Sequence, residues 1–400
     1  MRTYFRGRSL AYVLRFVLAA PLALIIWLGI EIINIFRPVF IVGLSYKGRI
    51  THYMQPMELH LRQANISQKK YLMIFVMPAA TPNEAVRAIY CRYSTIIDSH
   101  FPQLFRSAFG IVSEILKHRF TPELLAHHLL WPLAPATTLN KAEDGFGKDL
   151  MRQLGIPDGA EYVCLGVKEA AYYASINPDG GYGQDLRHQA IDSRNVNIAN
   201  YMLAATHLAE LGIYVVRIGS VVSAPLPKDR HPLIIDYATE ARSELGDVVL
   251  GANCKFLICG ATGSFIFAAS YNRPRVYLDQ YDFALTAGMW HDQAIMITRL
   301  YRTKKEEFLP FKSVIEYGET LCTDSELHIL NIQPIPNSPE DILDAVSELN
   351  LRINNFLTYS NENDLLQDKF YSCFDPPIRW RELSITRIST NFLRKYQDLL

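Results

Sequence analysis

Cysteine is scarce and unpatterned in this sequence, with six residues in 400 and no CxxC pair. That excludes the framework that staples small secreted domains and the paired spacing of a zinc ribbon. Cys91, Cys164, Cys254, Cys259, Cys322 and Cys373 are therefore expected to be reduced packing thiols. Net charge is missing too. Forty basic residues balance forty acidic ones, which removes compositional support for broad nucleic-acid binding. The chain also lacks the Walker lysine motif and the GxGxxG fingerprint, so a P-loop ATPase and a nicotinamide enzyme fit poorly. What is present is a globular body. Hydrophobic residues make up 49% of the chain, and 400 residues exceed one ordinary core, which points to two domains.

The N-terminus carries the largest compositional anomaly. Arg2, Arg6, Arg8 and Arg15 precede a charge-free apolar run from Phe16 to Ile30, after which Glu31 interrupts and IINIF continues to Arg37. Fifteen helical residues reach roughly 22 Å, short of a hydrocarbon core of about 30 Å. A crossing would need Arg15 and Glu31 at the two interfaces, with their charged ends turned outward. No small-x-small cleavage site follows, which disfavours a cleaved signal peptide. Pro21 inside the run, and Arg37, Lys47 and Arg49 beyond it, favour a shallow monotopic anchor that leaves the body in the cytoplasm. The bland alternative is the buried helix of a soluble domain.

Beyond the anchor the chain alternates between apolar runs and helical spacing. Strands are expected at Pro38–Leu44 and Tyr71–Pro78, with helices from about Pro56 and near Pro82, and more helix from 100 to 130. The stretch from Trp131 to Gly159 is rich in proline and glycine, so a domain boundary is placed at its end. A second domain then opens with a strand at Glu161–Lys168, a polar loop through Arg194 and a helix from Asn197 to Gly212. Strands at Ile213–Gly219, Cys254–Gly260 and RPRVYLD, with helices between, argue for a largely parallel sheet covered on both faces. Ser338 precedes proline and early acids that suit a helix start, and the last 65 residues, 336–400, are expected to form a helical extension.

Two places carry chemical signals. CGATGS, Cys259–Ser264, falls where a strand turns into a helix. Small residues there let backbone amides approach an anion, or simply let a helix pack closely. Arg217 sits at the end of a predicted strand, where ligands collect in open α/β sheets. It suits paired contacts to phosphate oxygens, or a carboxylate at the sheet edge.

The run DSRNVNIANYMLAATHLAELGIYVVRIGS, with IIDYA, GDVVLGANCKFLICGATGS and NRPRVYLD, resembles the C-terminal half of a bacterial glycosyltransferase family associated with surface-polysaccharide gene clusters. The likeness is best from Asp192 to Asp279. The recurring pattern falls on Arg217, Asp236, Tyr237, Cys254, Lys255, Phe256, Ile258 and Gly263. In the first domain the family's RIGH loop reads Arg49, Ile50, Thr51, His52, so a threonine replaces its glycine. The resemblance implies an α/β fold of two Rossmann-like domains in a GT-B arrangement, to which the N-terminal run adds a membrane-associated helix. The expected domains are the anchor 1–37, an acceptor-side domain 38–159, a nucleotide-sugar domain 160–335 and the extension 336–400.

The implied reaction is glycosyl transfer from a nucleotide-sugar donor to a hydroxyl of a lipid-linked or surface-polysaccharide acceptor. The enzyme would be associated with the inner membrane, its catalytic body in the cytoplasm, and no nucleic-acid partner is expected. No DxD motif appears, so a metal-independent reaction with no cofactor is expected. Arg217 would stabilise the leaving diphosphate, helped by Arg194, Lys255 and the amides near Gly263 and Ser264. His52 is the candidate acceptor base, and Asp236 is a rival base or an orienter of Arg217. A nucleotide-sugar epimerase and a catalytically silent membrane scaffold are the alternatives.

Overall fold

The structure, a computed structural model, describes residues 10–44, 49–67, 70–77, 80–120, 125, 127–171, 175, 195–281, 294–322, 324–378, 380 and 386–400. The chain packs as two units. Unit 1 is Met1–Ala126 with Leu133–Leu139, and unit 2 is His127–Pro132 with Asn140–Leu400.

Unit 1 begins with helix α1 (Leu10–Phe36), which runs through Pro21 without ending. Strand β1 (Val39–Gly43), helix α2 (Ile50–Asn65), strand β2 (Leu72–Val76), helix α3 (Glu84–Tyr90), strand β3 (Thr95–Ile97) and helix α4 (Gln103–Phe120) follow. The three strands form a parallel sheet in the order β1-β2-β3. Alternation along the strands sorts their side chains to two faces. Val39, Ile41, Ile74, Val76 and Ile97 share one face, and they form a core with Ala19, Ala23 and Ile30 of α1 and Ala108, Phe109 and Val112 of α4. Phe75 points to the other face, its ring 6.3 Å from that of His60 in α2.

A buried network ties the returning segment to this unit. Glu58 accepts from Arg62 Nε at 2.7 Å, Tyr90 Oη at 2.6 Å and the Ala136 amide at 2.8 Å, while Arg62 donates to the Leu133 carbonyl. All three side chains are fully buried, so the carboxylate is compensated where it lies.

After His127–Pro132, unit 2 continues with helix α5 (Lys141–Gln153) and strand β4 (Tyr162–Gly166). A 3₁₀ turn, Ile198–Tyr201, leads into α6 (Met202–Glu210), then β5 (Tyr214–Ile218) and β6 (Ile234–Ile235). Helix α7 (Glu244–Asn253), β7 (Leu257–Cys259), α8 (Phe265–Ser270), β8 (Arg275–Gln280) and β9 (Ala294–Thr298) complete the central run. An antiparallel pair, β10 (Leu300–Thr303) and β11 (Ile332–Ile335), precedes α9 (Pro339–Ile353), α10 (Asn361–Ser372), β12 (Arg387–Ile388) and α11 (Thr390–Lys395). The main sheet has seven parallel strands in the order β12-β9-β8-β7-β4-β5-β6. Every residue of β4, β8 and β9 is buried, as expected of strands covered on both faces.

The observed division corrects three sequence expectations. α1 is a layer of unit 1 and not a separate anchor domain, because its Ala19–Ala23–Ile30 stripe covers the sheet. The boundary falls between Leu139 and Asn140, not after Gly159, because 141–153 is helical. There Asn140 accepts from the Ala142 and Glu143 amides while Glu143 accepts from the Asn140 amide, a capping box that starts a helix despite two glycines. A Cβ on Gly147 would lie 2.4 Å from Val249 Cγ1, so this glycine permits close packing on α7 where sequence reading took it as a breaker. Finally, 336–400 is no mere helical extension, since β12 pairs with β9 inside the main sheet. Glu348 of α9 accepts from Ser389 and Thr390, which binds the chain's end to that sheet.

The remaining expectations differ less. α2 begins at Ile50 and runs on through Pro56, its seventh residue, where the missing N–H leaves one intrahelical bond unmade. Ser338 caps α9 through the Asp341 amide. Among the described residues, five cysteines are free thiols and Cys322 is without a described side chain.

Candidate functional site

Strand order locates the site. From β4 the sheet grows one way through β5 and β6, then reverses to β7, β8 and β9 on the other side. The C-terminal ends of β4 and β7 therefore flank a topological switch point, where an open α/β sheet leaves a crevice. Gly166 ends β4, and Cys259 ends β7 ahead of the turn Gly260–Ser264.

The two strand ends meet closely. The Gly260 amide donates to the Gly166 carbonyl at 3.1 Å, and the Thr262 amide to the Gly260 carbonyl at 2.6 Å. A Cβ on Gly166 would stand 2.6 Å from Ser264 Oγ, and one on Gly260 would stand 3.0 Å from Tyr201 Oη. A side chain at either position would have to displace one of these hydroxyls. Ser264 Oγ lies 3.4 Å from Thr262 Oγ1, and residues 261–264 remain partly exposed at the mouth of the crevice. The turn thus places small residues and the Thr262 and Ser264 hydroxyls, partly exposed, where an anionic group can reach them.

Charged groups brace this edge from both sides. Arg217, on β5 beside β4, is 1% exposed. Its Nη2 lies 2.8 Å from Glu169, and its Nη1 lies 3.3 Å from Asp236 and donates to the Ala224 carbonyl at 2.8 Å. Asp236 also accepts from the Leu226 amide and from Thr239 Oγ1, both at 2.8 Å. This triad holds the loop from 219 to 226 onto the sheet end. On the other side, Asp279 at the end of β8 accepts from Tyr201 at 2.6 Å and the Asn337 amide at 2.8 Å, with Arg299 Nε 3.4 Å away. Asn337 Oδ1 accepts from the Asp279 amide in return. Burial, then the Asp279 charge, pushes the Tyr201 hydroxyl well above the ordinary phenol range, which keeps it a donor.

The sequence candidates separate on this frame. Gly263 and Ser264 fall at the switch point, and Arg217 and Asp236 lie together at the next strand end. Arg217 and Asp236 are buried and engaged with each other and with the backbone, so the arrangement gives them to protein partners. Lys255 needs correction. It precedes β7, donates its amide to the Tyr162 carbonyl and pairs with Glu161 at 2.7 Å, all at the N-terminal edge of the parallel sheet and opposite the switch point. Arg194 lies outside the described residues. His52 belongs to unit 1, exposed in the first turn of α2 and not in a loop.

Sequence reading missed several groups. Glu169 gave no signal, since nothing local pairs it with a residue 48 positions away. The Tyr201–Asp279–Asn337 network was equally hidden. In unit 1, Asp98 follows β3 and is buried, held by Arg87 Nε at 2.6 Å and Thr81 at 3.1 Å. Burial opposes its charge, but these partners and two bonds from His100 leave its carboxyl below the usual range. His100 Nδ1 lies 3.0 Å from Asp98, and its ring is 45% exposed. A DxH spacing just beyond an apolar strand is the signal that would have found this pair. Among the described residues no group of three or more His, Cys, Asp or Glu side chains is placed to hold a metal ion.

No family model matches the chain, and no curated protein matches it. Solved structures do. E. coli ADP-heptose lps heptosyltransferase II is 14% identical, with 79% of this chain and 99% of that chain covered at a TM-score of 0.46. The glycosyl transferase family 9 protein from Veillonella parvula is 11% identical, with 79% and 97% covered at 0.43. E. coli heptosyltransferase WaaC with ADP is 13% identical, with 65% and 90% covered at 0.29. With each of these TM-scores below 0.5, the functional reading rests on the site itself.

Proposed function

We propose that this chain is a GT-B-type glycosyltransferase that moves a sugar from a nucleotide-sugar donor to a hydroxyl of a lipid-linked or surface-polysaccharide acceptor. The observation that carries the reading is the switch point between β4 and β7, where Gly166 meets the turn Gly260–Ser264 and the Thr262 and Ser264 hydroxyls are partly exposed. The donor diphosphate binds there, against Gly263 and Ser264 and the neighbouring Thr262 hydroxyl. Arg217 and Asp236 act as positioning residues that hold the strand end and the 219–226 loop in place.

In the reaction the acceptor oxygen forms a bond to the anomeric carbon as the carbon–phosphate-oxygen bond breaks. The nucleoside diphosphate leaves with the bonding pair, and the acceptor proton passes to a base. Hydrogen-bond donors fixed at the diphosphate stabilise the charge that develops on it, so no metal or other cofactor is required by this scheme. Asp236 is unsuited to the base role because it is buried and already accepts several bonds. Exposed imidazoles are better suited. His52 remains the first choice, and His100, oriented by Asp98, is its rival at the C-terminal end of β3.

A screen of nucleotide sugars against a lipid-linked acceptor mixture tests the proposal, recording donor binding and sugar transfer separately. Transfer should require both substrates. Loss of about 10²-fold to 10⁴-fold in His52→Gln, with donor affinity kept, would assign the base to His52, and the same loss in His100→Gln alone would reassign it. Conversion of a nucleotide sugar without any acceptor would replace the reading with an epimerase. A folded chain with no affinity for any nucleotide sugar would make it a scaffold.

A further inference from the structure

We propose that unit 1 rests on an anionic lipid surface through α1, which lies in the plane of the interface and does not cross the bilayer. One side of α1 is already committed. Ala19, Leu22, Ala23, Ile26 and Ile30 form a stripe at helical spacing that packs with α4 over the face of β1, β2 and β3. That stripe occupies the middle of the apolar run, over roughly 16 Å of helix. A crossing helix would draw the sheet into hydrocarbon along with it. An open sheet carries unpaired backbone groups at its edges, and hydrocarbon cannot satisfy them.

Among the described residues, nothing covers the other side of α1. Leu18 is 60% exposed, Ile25 66%, Ile32 60% and Phe36 85%. Successive members of the 18, 25, 32 series are seven residues apart, so they share one face. α4 continues the apolar surface with exposed Leu104 and Ile115.

Charge decides which partner fits. No acidic residue precedes Glu31, while Arg2, Arg6, Arg8 and Arg15 stand at the start of the run. At the far end Arg37 and Lys70 are exposed, and Arg37 is fixed by bonds to the Lys70 and Tyr71 carbonyls. A second copy of this chain, laid parallel or antiparallel, would set one basic end against another. An anionic headgroup layer meets both ends at once. Trp27, which donates to Glu31 at 3.0 Å, has the amphipathic character favoured at such a boundary.

The inference stands independently of sugar transfer and is tested without it. A nitroxide-bearing residue is placed singly at 18, 25 and 32 of the full chain, bound to vesicles of phosphatidylcholine and phosphatidylglycerol, and its depth is measured. The three depths should agree. A crossing helix would instead separate successive positions by roughly 10 Å along its axis, and that gradient would overturn the proposal. The double substitution Ile25→Glu with Ile32→Glu should reduce vesicle flotation by at least about tenfold, with thermal unfolding close to that of the parent. Undiminished flotation, or a parent chain that forms dimers and ignores vesicles, would also overturn it. Should the double variant not fold, the depth comparison on the labelled chain decides.

Discussion

Arg217 shows how burial changes the meaning of a residue. A strand-end arginine in an α/β protein reads naturally as a phosphate ligand, but here the guanidinium faces two carboxylates that are themselves buried. Removing it leaves Glu169 and Asp236 without their counter-charge in a place water does not reach. Arg217→Ala is therefore expected to lower unfolding stability by about 3 to 5 kcal/mol, measured by denaturant titration. Arg217→Lys should recover little of that, because one ammonium cannot span both carboxylates and the Ala224 carbonyl. Stability within about 1 kcal/mol of the parent would show that the triad is not coupled. The Arg217–Asp236 association was within reach of sequence reasoning, since both residues end neighbouring strands. Glu169 was not, because its role depends on how β4 and β5 align.

At the scale of elements, glycines carry meaning that propensity alone reverses. Gly251 lies in α7, where alanine would ordinarily favour the helix by roughly 0.5 to 1 kcal/mol. A Cβ there would stand 2.5 Å from Phe267 Cβ and 3.1 Å from the Phe267 backbone carbon, because α7 and α8 pack at backbone distance. Gly251→Ala should therefore destabilise the protein by about 1 to 3 kcal/mol, despite the gain in helix propensity. Thermal unfolding of this variant beside Gly145→Ala is the measurement, since nothing crowds a Cβ at Gly145. If both alanines stabilise alike, the close packing is not limiting. The capping box at Asn140 and Glu143 was legible, but the prolines before it and the glycines after it concealed the helix. The cap is written in local sequence, whereas the reason for Gly147 lies across the unit on Val249.

For the whole molecule, the C-terminal 65 residues belong to the main sheet. Strand β12 extends it beyond β9, α9 presents Glu348 to the chain just after β12, and Gln367 of α10 bonds both the amide and the carbonyl of Ile388. A chain ending at residue 335 is expected to lose cooperative unfolding of unit 2, followed by circular dichroism and protease resistance. A truncated chain that still unfolds in one sharp transition would restore the view of 336–400 as an appendage. The sequence by itself determined the alternation of strand and helix, the parallel character of the main sheet, the turn at Gly260–Ser264 and the apolar N-terminal helix. These follow from spacing and composition, which act within a few residues. Only the tertiary structure decided that α1 is a layer of unit 1, that Lys255 faces the opposite edge from the turn, and that Arg217 is held by carboxylates. Strand order, strand direction and burial set those outcomes, and each depends on residues far apart in the chain.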